Sequence, residues 1–266
     1  MAAKGESIIQ VKDVTVGYGA TVVLKDVSFE VEMGEIFGIL GGSGSGKSTL
    51  LKAMIGLLKP LSGSILIDGT DIVTAEGEDR LNLLKKIGVA YQSGALFGSM
   101  TVLSNVALPL KEFTDLPAEA IEQIAQMKLK AVGLQAAAYK MPSELSGGMR
   151  KRAAIARALA VDPEILFLDE PSAGLDPITS AQLDELILGL SEDLEITFVI
   201  VTHELPSIFA VADRVIMVDK EAKTIIAGGK PEELRDHSDN PVVRQFFRRQ
   251  LNPSGAPGPS GRPVPA

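Results

Sequence analysis

Gly41–Thr49 reads GGSGSGKST, and its G-x-x-x-x-G-K-[ST] spacing is that of a loop built to cradle phosphates. Gly41, Gly42, Gly44 and Gly46 let successive backbone N–H groups turn inward toward phosphate oxygens, and a helix starting after them adds unpaired N–H groups and a positive dipole end. Lys47 is placed to reach the β and γ phosphates as a point charge, and Ser48 to ligate Mg²⁺ through its hydroxyl. Ser43, Ser45 and Thr49 belong to the same phosphate-facing string. A Gly/Ser linker would have a similar composition. Here, however, an apolar stretch precedes the loop and LLKAMIGLL follows it, the strand-loop-helix context that the motif requires.

The apolar run Ile165–Leu168 ends in Asp169 and Glu170. A carboxylate at a strand tip can reach the Mg²⁺ shell, and a second beside it can orient and deprotonate the attacking water. Two acids before a proline could also simply turn a strand, but a phosphate loop in the same chain favours a hydrolysis site. Gln92 and His203 each follow an apolar run, at carboxyl ends of strands where open α/β sheets place their ligands. A lone histidine is more often structural than catalytic, so His203 needs that context.

A second glycine string, Leu145–Met149, reads LSGGM. Ser146 is a good N-cap for the helix running through Arg150, Arg152, Ile155 and Leu159. A cap alone would not call for Gly147 and Gly148, which each cost a helix on the order of 1 kcal/mol relative to alanine but leave N–H groups open to a phosphate. One triphosphate is already held by the first loop. The second anion site is most simply used by a nucleotide on another copy.

These residues need a parallel core to hold them. Ile36–Leu40 reads as a buried strand entering the phosphate loop, with Thr49–Leu58 as the helix behind it. Ile87–Tyr91, Glu164–Leu168 and Thr197–Val201 are further buried strands, interleaved with helices such as Ala181–Leu190. Val27, Phe29 and Val31 alternate with Ser28, Glu30 and Glu32, the period of a half-buried strand in an N-terminal antiparallel portion. The fold class is α/β.

From Ser93 to Ala160 the pattern turns helical: Pro117 suits a first helical position, Ile121, Ile124, Lys128 and Ala131 fall on one side, and Gly133 supplies a left-handed stop. Near the end, Asp239 or Asn240 can cap a helix with Pro241 in its first turn. Val242, Val243, Phe246 and Phe247 share its apolar stripe, and Arg244, Arg248 and Arg249 point elsewhere. That stripe is expected to dock on another subunit or an accessory protein, with packing back on the chain's own core as the alternative. The expected organisation is one unit over 1–251, with an inserted helical subdomain at about 93–160 and a docking helix at about 240–251. A Pro/Gly-rich disordered tail is expected over 252–266.

The chain has 266 residues with 45% hydrophobic content, enough to bury a sizeable core. No run of about twenty apolar residues exists to span a membrane, and the start MAAKGESIIQ lacks the apolar region of a secretory signal. Cysteine is absent, which excludes disulfides and thiolate metal sites and fits a reducing compartment. A net charge of -8 argues against a nucleic-acid partner.

With all these strings in order, the chain resembles the nucleotide-binding subunit of ABC transporters, a likeness running from about Ile8 to about Leu234. The resemblance implies a P-loop NTPase (RecA-like) core with an N-terminal antiparallel β subdomain and an inserted helical subdomain. It implies that Gly41–Thr49 is the Walker A, Gln92 the Q-loop glutamine in the Mg²⁺ shell, and Leu145–Met149 the signature. Ile165–Glu170 becomes the Walker B with Glu170 as catalytic base, Ser172–Asp176 the D-loop, His203 the switch histidine, and Tyr18 the ring that stacks on adenine. Met149 stands where the signature often has Gln, and Gly42 where Walker A often has Pro; neither change removes a phosphate contact or the base.

The family works as a head-to-tail dimer with two ATP molecules, each held between one copy's Walker A and the other's signature. YQSGALFGSMTVLSNVALPL, ELSGGMRKRA and NPVVRQFFRR are further similar to the ATPases of Mla and Mce-type lipid transporters. That narrower likeness implies a membrane permease, MCE-domain and accessory partners, and a peripheral place on the cytoplasmic face of the inner membrane. A DNA-repair or chromosome ATPase of this family would carry a coiled-coil or zinc insertion, and a translation factor two tandem cassettes; neither is present. A non-hydrolysing module would be expected to lack Lys47 or Glu170, and both are present. Another ABC importer, or an iron-sulfur assembly ATPase with soluble partners, remains the alternative.

Overall fold

The computed structural model describes residues 5–251. Two long strands, β1 (Ser7–Tyr18) and β2 (Thr21–Glu32), pair antiparallel around Gly19 and Ala20. With β4 (Ser62–Ile67) and β5 (Thr70–Asp71) they form a four-stranded antiparallel sheet ordered β2-β1-β4-β5. The second sheet takes β3 (Ile36–Leu40), β6 (Ile87–Ala90), β7 (Ile165–Asp169), β8 (Thr197–Thr202), β9 (Arg214–Asp219) and β10 (Thr224–Gly229) in the order β10-β9-β3-β8-β7-β6. Its neighbours run parallel from β9 to β6, and only β10 turns back. The carboxyl ends of β3, β8, β7 and β6 therefore lie side by side on one edge.

The helices are α1 (Lys47–Met54), α2 (Gly77–Lys85), α3 (Val102–Phe113), α4 (Ala118–Ala131), α5 (Gly147–Ala158), α6 (Pro177–Leu194), α7 (Leu205–Val211), α8 (Pro231–His237) and α9 (Pro241–Leu251). Apolar runs in the central strands are explained by burial on both faces. Leu166 and Leu168 enter one core with α3, α4, α5 and α6, while Ile165 and Phe167 enter another with α1, β1 and β2. Gly88 of β6 is where α5 comes closest, because a Cβ there would overlap the carbonyl of Ala158.

Several expected boundaries shift for local reasons. α1 begins at Lys47 and stops at Met54, short of Leu58, because Gly56 adopts φ 72° and turns the chain. Pro117 is the N-cap of α4, one place before the first helical residue. The inward stripe of α4 is Ile121, Ala125 and Leu129; Ile124 and Lys128 flank it and Ala131 is exposed. Gly133, at φ 72°, does end that helix in the left-handed region.

The C-terminal helix requires a larger correction. Asn240 does cap it, its Oδ1 accepting from Val242 N at 2.9 Å. Its apolar stripe, however, is not left without cover of its own. Val243 and Phe247 are buried in a third core with Leu40, Leu205, Ile208, Val215, Met217 and Leu234, and Phe209 packs against Phe247 at 5.8 Å between ring centroids. Only Val242 stays exposed and Phe246 half-buried. The sequence pattern identified the stripe and misassigned the surface it meets, because the alternating faces of β3 and β9 give no local sign that they need a helical cover. The expected tail over 252–266 lies outside the described residues.

Candidate active site

The phosphate loop is held open by its own chain. Gly41 sits at φ 155°, where a Cβ would fall 2.5 Å from Ser45 Oγ and from the Val218 carbonyl. Gly46 sits at φ 100°, where a Cβ would press on Val23 and Leu24 of β2 at 2.8 Å. Only glycine fits either place. Around Gly42 and Gly44 there is open space, which is where an anion can approach backbone N–H groups. Ser43 is exposed and Thr49 half-buried in the first turn of α1.

Two observations show that the loop fits a phosphate chain. The Ser45 hydroxyl is buried with no hydrogen-bond partner among the described residues, and Lys47 is buried with its Nζ donating to the carbonyls of Gly41 at 2.8 Å and Gly42 at 3.1 Å. Burial lowers the Lys47 pKa from the usual lysine value, opposed by the charges of Glu170 and Asp169. A desolvated ammonium at a concave loop gains strongly from a polyanion.

Beside the loop, Ser48 Oγ donates to Asp169 Oδ1 at 3.4 Å. Burial raises the Asp169 pKa, as does the Glu170 charge next to it; the Ser48 hydrogen bond and Lys47 oppose them. A hydroxyl and a carboxylate oxygen suit Mg²⁺, which favours hard oxygen donors and usually keeps few protein ligands beside substrate phosphates. Among the described residues no cluster of three or more His, Cys, Asp or Glu could hold a metal by itself.

Glu170 is only 8% exposed and adopts φ 48°, an unfavourable conformation for glutamate. Its surroundings hold it there. Its N–H donates to the Val201 carbonyl at 2.8 Å, its own carbonyl accepts from Lys151 Nζ at 2.9 Å, and Thr202 Oγ1 donates to Oε2 at 3.0 Å. His203 Nδ1 lies 2.9 Å from both carboxylate oxygens. An ionised carboxylate only accepts, so Nδ1 carries the proton and a neutral His203 keeps Nε2 free as an acceptor.

The other expected residues are more dispersed. Gln92 is exposed just beyond β6, on the edge that carries Asp169 and His203. Tyr18 is exposed at the end of β1, in the hairpin whose second strand presses on Gly46. Ser146 caps α5, its Oγ accepting from Met149 N at 3.3 Å. Gly147 faces Leu175, and a Cβ on the buried Gly148 would overlap Thr179 Cγ2. Contact within the chain is thus one reason for glycine at 148. Asp176 caps α6, accepting from Ile178 N and Thr179 N at 3.1 Å and from Thr179 Oγ1 at 2.6 Å. These bonds hold its carboxyl below the usual aspartate range.

An ABC transporter family profile matches residues 24–173. The chain belongs to the ABC transporter family. It is an ABC ATPase with a P-loop NTPase fold, similar over 248 residues (44% identity, 93% of this chain and 71% of the relative) to the probable ribonucleotide transport ATP-binding protein mkl of Mycobacterium leprae. It is 42% identical over 243 residues, 91% of each chain, to the intermembrane phospholipid transport system ATP-binding protein MlaF of Haemophilus influenzae. The dimeric ATP-binding cassette MJ0796, solved in a post-hydrolysis state with ADP and Pi, superposes with TM-score 0.76 at 32% identity, covering 84% of this chain and 98% of that one.

Three supporting residues of this ABC ATPase escaped the sequence reading. Lys151, buried, anchors Glu170; its pKa is lowered by burial and opposed by Glu170, Glu204 and Asp169. Helical spacing carried the signal, because Lys151 shares a face with Ile155 and Ala158, both buried. Arg157 donates to the carbonyls of Ala95 at 2.7 Å and Gly94 at 3.1 Å, fixing the turn after Gln92. Thr202 holds the Glu170 carboxylate, and nothing in its local sequence marked it.

Proposed function

We propose that this ABC ATPase closes as a homodimer on two ATP molecules and, with an integral membrane permease, drives phospholipid movement between bacterial membranes. The observation carrying this reading is the Glu170 carboxylate, buried and fixed by Thr202 and His203 beside Asp169 and the phosphate loop. The lipid substrate rests on the MlaF relative, which matches along almost its whole length. MCE-domain and accessory partners, and a peripheral position on the cytoplasmic face of the inner membrane, follow from the same relationship. No helix among the described residues is long and apolar enough to cross a membrane, so the permease supplies the path.

In this reading Lys47 and the N–H groups of Gly41–Thr49 hold the β and γ phosphates, and Tyr18 stacks on the adenine. Ser48, Asp169 and Gln92 would hold Mg²⁺, which when bound offsets the negative charge on the phosphate oxygens. Glu170 takes the proton of the attacking water as the bond between the γ phosphorus and the β–γ bridging oxygen breaks. His203 positions Glu170 and donates toward the γ phosphate when protonated. Ser146, Gly147, Gly148 and Asp176 of a second copy close over the nucleotide from its other side.

Ribonucleotide transport, named for the M. leprae relative, is the second reading. Co-purification of the chain from solubilised membranes decides between them. A permease with bound phospholipid is the expected result. A permease whose transport is specific for ribonucleotide overturns the lipid assignment, and recovery with soluble scaffold proteins alone would indicate an iron-sulfur assembly role.

A further inference from the structure

Lys151 of α5 is a buried lysine bonded to no acid. It is 9% exposed and forms no ion pair among the described residues. Its Nζ donates at 2.9 Å to the main-chain carbonyl of Glu170, the one hydrogen bond of that ammonium among the described residues. Burial lowers the Lys151 pKa, opposed by the charges of Glu170, Glu204 and Asp169. An ammonium taken out of water and bonded to a neutral oxygen is a poor source of stability. Packing of α5 does not call for it, because a methionine would fill the same space without the charge.

The ammonium holds a backbone that resists its own conformation. Glu170 has φ 48° and precedes Pro171, so its side chain and the following proline ring both favour extended backbone. The peptide groups on either side of it are pinned. Its N–H donates to the Val201 carbonyl at 2.8 Å, and its carbonyl accepts from Lys151 and, at 3.3 Å, from Ala173 N–H. Beyond Pro171, the Ser207 hydroxyl of α7 donates to Ser172 Oγ at 3.3 Å and lies 3.3 Å from Ser180 Oγ. With both peptide planes fixed, the Cα–Cβ bond of Glu170 has one direction, toward Thr202 and His203, which hold its carboxylate. Freed at its carbonyl, the residue would relax toward extended backbone and carry the carboxylate away from them.

We propose that Lys151 is a positioning residue for ATP hydrolysis, its ammonium holding Glu170 in the strained backbone that aims the carboxylate at the attacking water. The inference rests on the proposed roles of Glu170 as base and of the dimer. Lys151 lies one turn after Gly147 on α5. The start of that helix packs on the segment after Glu170: a Cβ on Gly147 would lie 3.4 Å from Leu175 Cδ2, and one on Gly148 2.4 Å from Thr179 Cγ2. In the proposed dimer the first residues of α5 face the nucleotide of a second copy, while Lys151 on the same helix reaches the base of its own chain. Seating the helix over one nucleotide and aiming the base at the other thereby become one adjustment, made through Lys151.

The test measures kcat and KM for ATP with Mg²⁺ in the full chain, assembled with its membrane permease, and in its Lys151→Met and Lys151→Arg variants. Lys151→Met should lower kcat about tenfold or more with KM unchanged, because the phosphate loop is untouched. The same variant should melt no lower than the parent, since a buried charge and a strained residue are both relieved. Lys151→Arg keeps a charged donor and should recover part of kcat. A parental kcat in Lys151→Met, a loss of kcat that tracks a lower melting temperature, or a KM that rises in step with that loss overturns the proposal. Mixed dimers give the route of the effect: one copy carries Glu170→Gln, so the other holds the sole base. The loss should be several-fold larger when Lys151→Met shares a chain with the intact Glu170 than when it shares a chain with Glu170→Gln. Equal losses, or a larger loss in the second arrangement, also overturn it. The Glu170→Gln homodimer keeps the two ideas apart: normal turnover there removes the base assignment and this inference with it. An inactive Glu170→Gln beside a parental Lys151→Met removes this inference alone.

Discussion

The two glycine strings look alike in sequence and are built differently. In the phosphate loop, Gly41 and Gly46 occupy left-handed backbone against Ser45, Val218, Val23 and Leu24, while Gly42 and Gly44 face open space. In the second string neither Gly147 nor Gly148 has positive φ, and the space a side chain would need at 148 is already filled by Thr179. The first loop is thus shaped and left open within one chain. The second is a helix start packed against the segment that follows Glu170, so movement of α5 and the position of α6 are mechanically tied. In the proposed function the duties are separate: the phosphate loop binds the nucleotide, and the second string closes over the nucleotide of a second copy.

The sharpest way to break this division is at the chemistry. Glu170→Gln keeps shape and most hydrogen bonds but removes the base, so hydrolysis should fall by about 10³-fold or more while ATP still binds. Sizing with ATP and Mg²⁺ should then show a stabilised dimer; a monomer at saturating ATP contradicts a site shared by two chains. Lys47→Ala should cost about 10²-fold or more in turnover, because it removes the only side-chain cation the loop fixes near the phosphates. In that case the loss should extend to ATP affinity, and unaltered affinity would refute the binding role of the loop.

A smaller effect tests what braces the phosphate loop. Val242, Gln245 and Phe246 of α9 line a cavity with Gly42, Ser43 and His203, and Phe247 is buried under Leu40, the residue that leads into the loop. Phe247→Ala should lower stability by about 3 kcal/mol or more, the usual cost of emptying a buried phenylalanine site, seen as a lower melting temperature of the isolated chain. An unchanged melting temperature with weakened assembly would restore the outward-docking role expected from the sequence.

Most of the site was legible because phosphate chemistry tolerates few substitutes. The loop and the acids at the end of β7 follow from glycine spacing and from an apolar run that ends in acids, whereas the role of the histidine after β8 came with the family resemblance. What stayed hidden depends on packing between distant segments. Thr202 and Lys151 matter only because β8 and α5 meet Glu170, and the hydroxyls of Ser172, Ser180 and Ser207 connect only in three dimensions. The C-terminal stripe shows the same limit. Periodicity states that a face is apolar, and only tertiary structure states what covers it.

The smallest effect goes to the centre of the comparison. Gly148→Ala should gain on the order of 1 kcal/mol in helix propensity, yet its Cβ would overlap Thr179 Cγ2. Thr179 cannot easily rotate away, because its Oγ1 donates to Asp176 Oδ2 at 2.6 Å. Overpacking of this kind costs about 1–3 kcal/mol, so the net expectation is a loss of about 1 kcal/mol, with ATP binding to the isolated chain unaffected. Thr179→Ser removes the offending methyl and keeps the hydroxyl that completes the cap. The double variant Gly148→Ala, Thr179→Ser should therefore recover the stability lost by the first change, a coupling that a double-mutant cycle reads directly. If stability returns but dimer closure on ATP does not, the glycine serves both the contact within the chain and the second nucleotide. Recovery of both leaves packing against α6 as its sole purpose, and the absence of any coupling would show that Thr179 does not set the identity of residue 148.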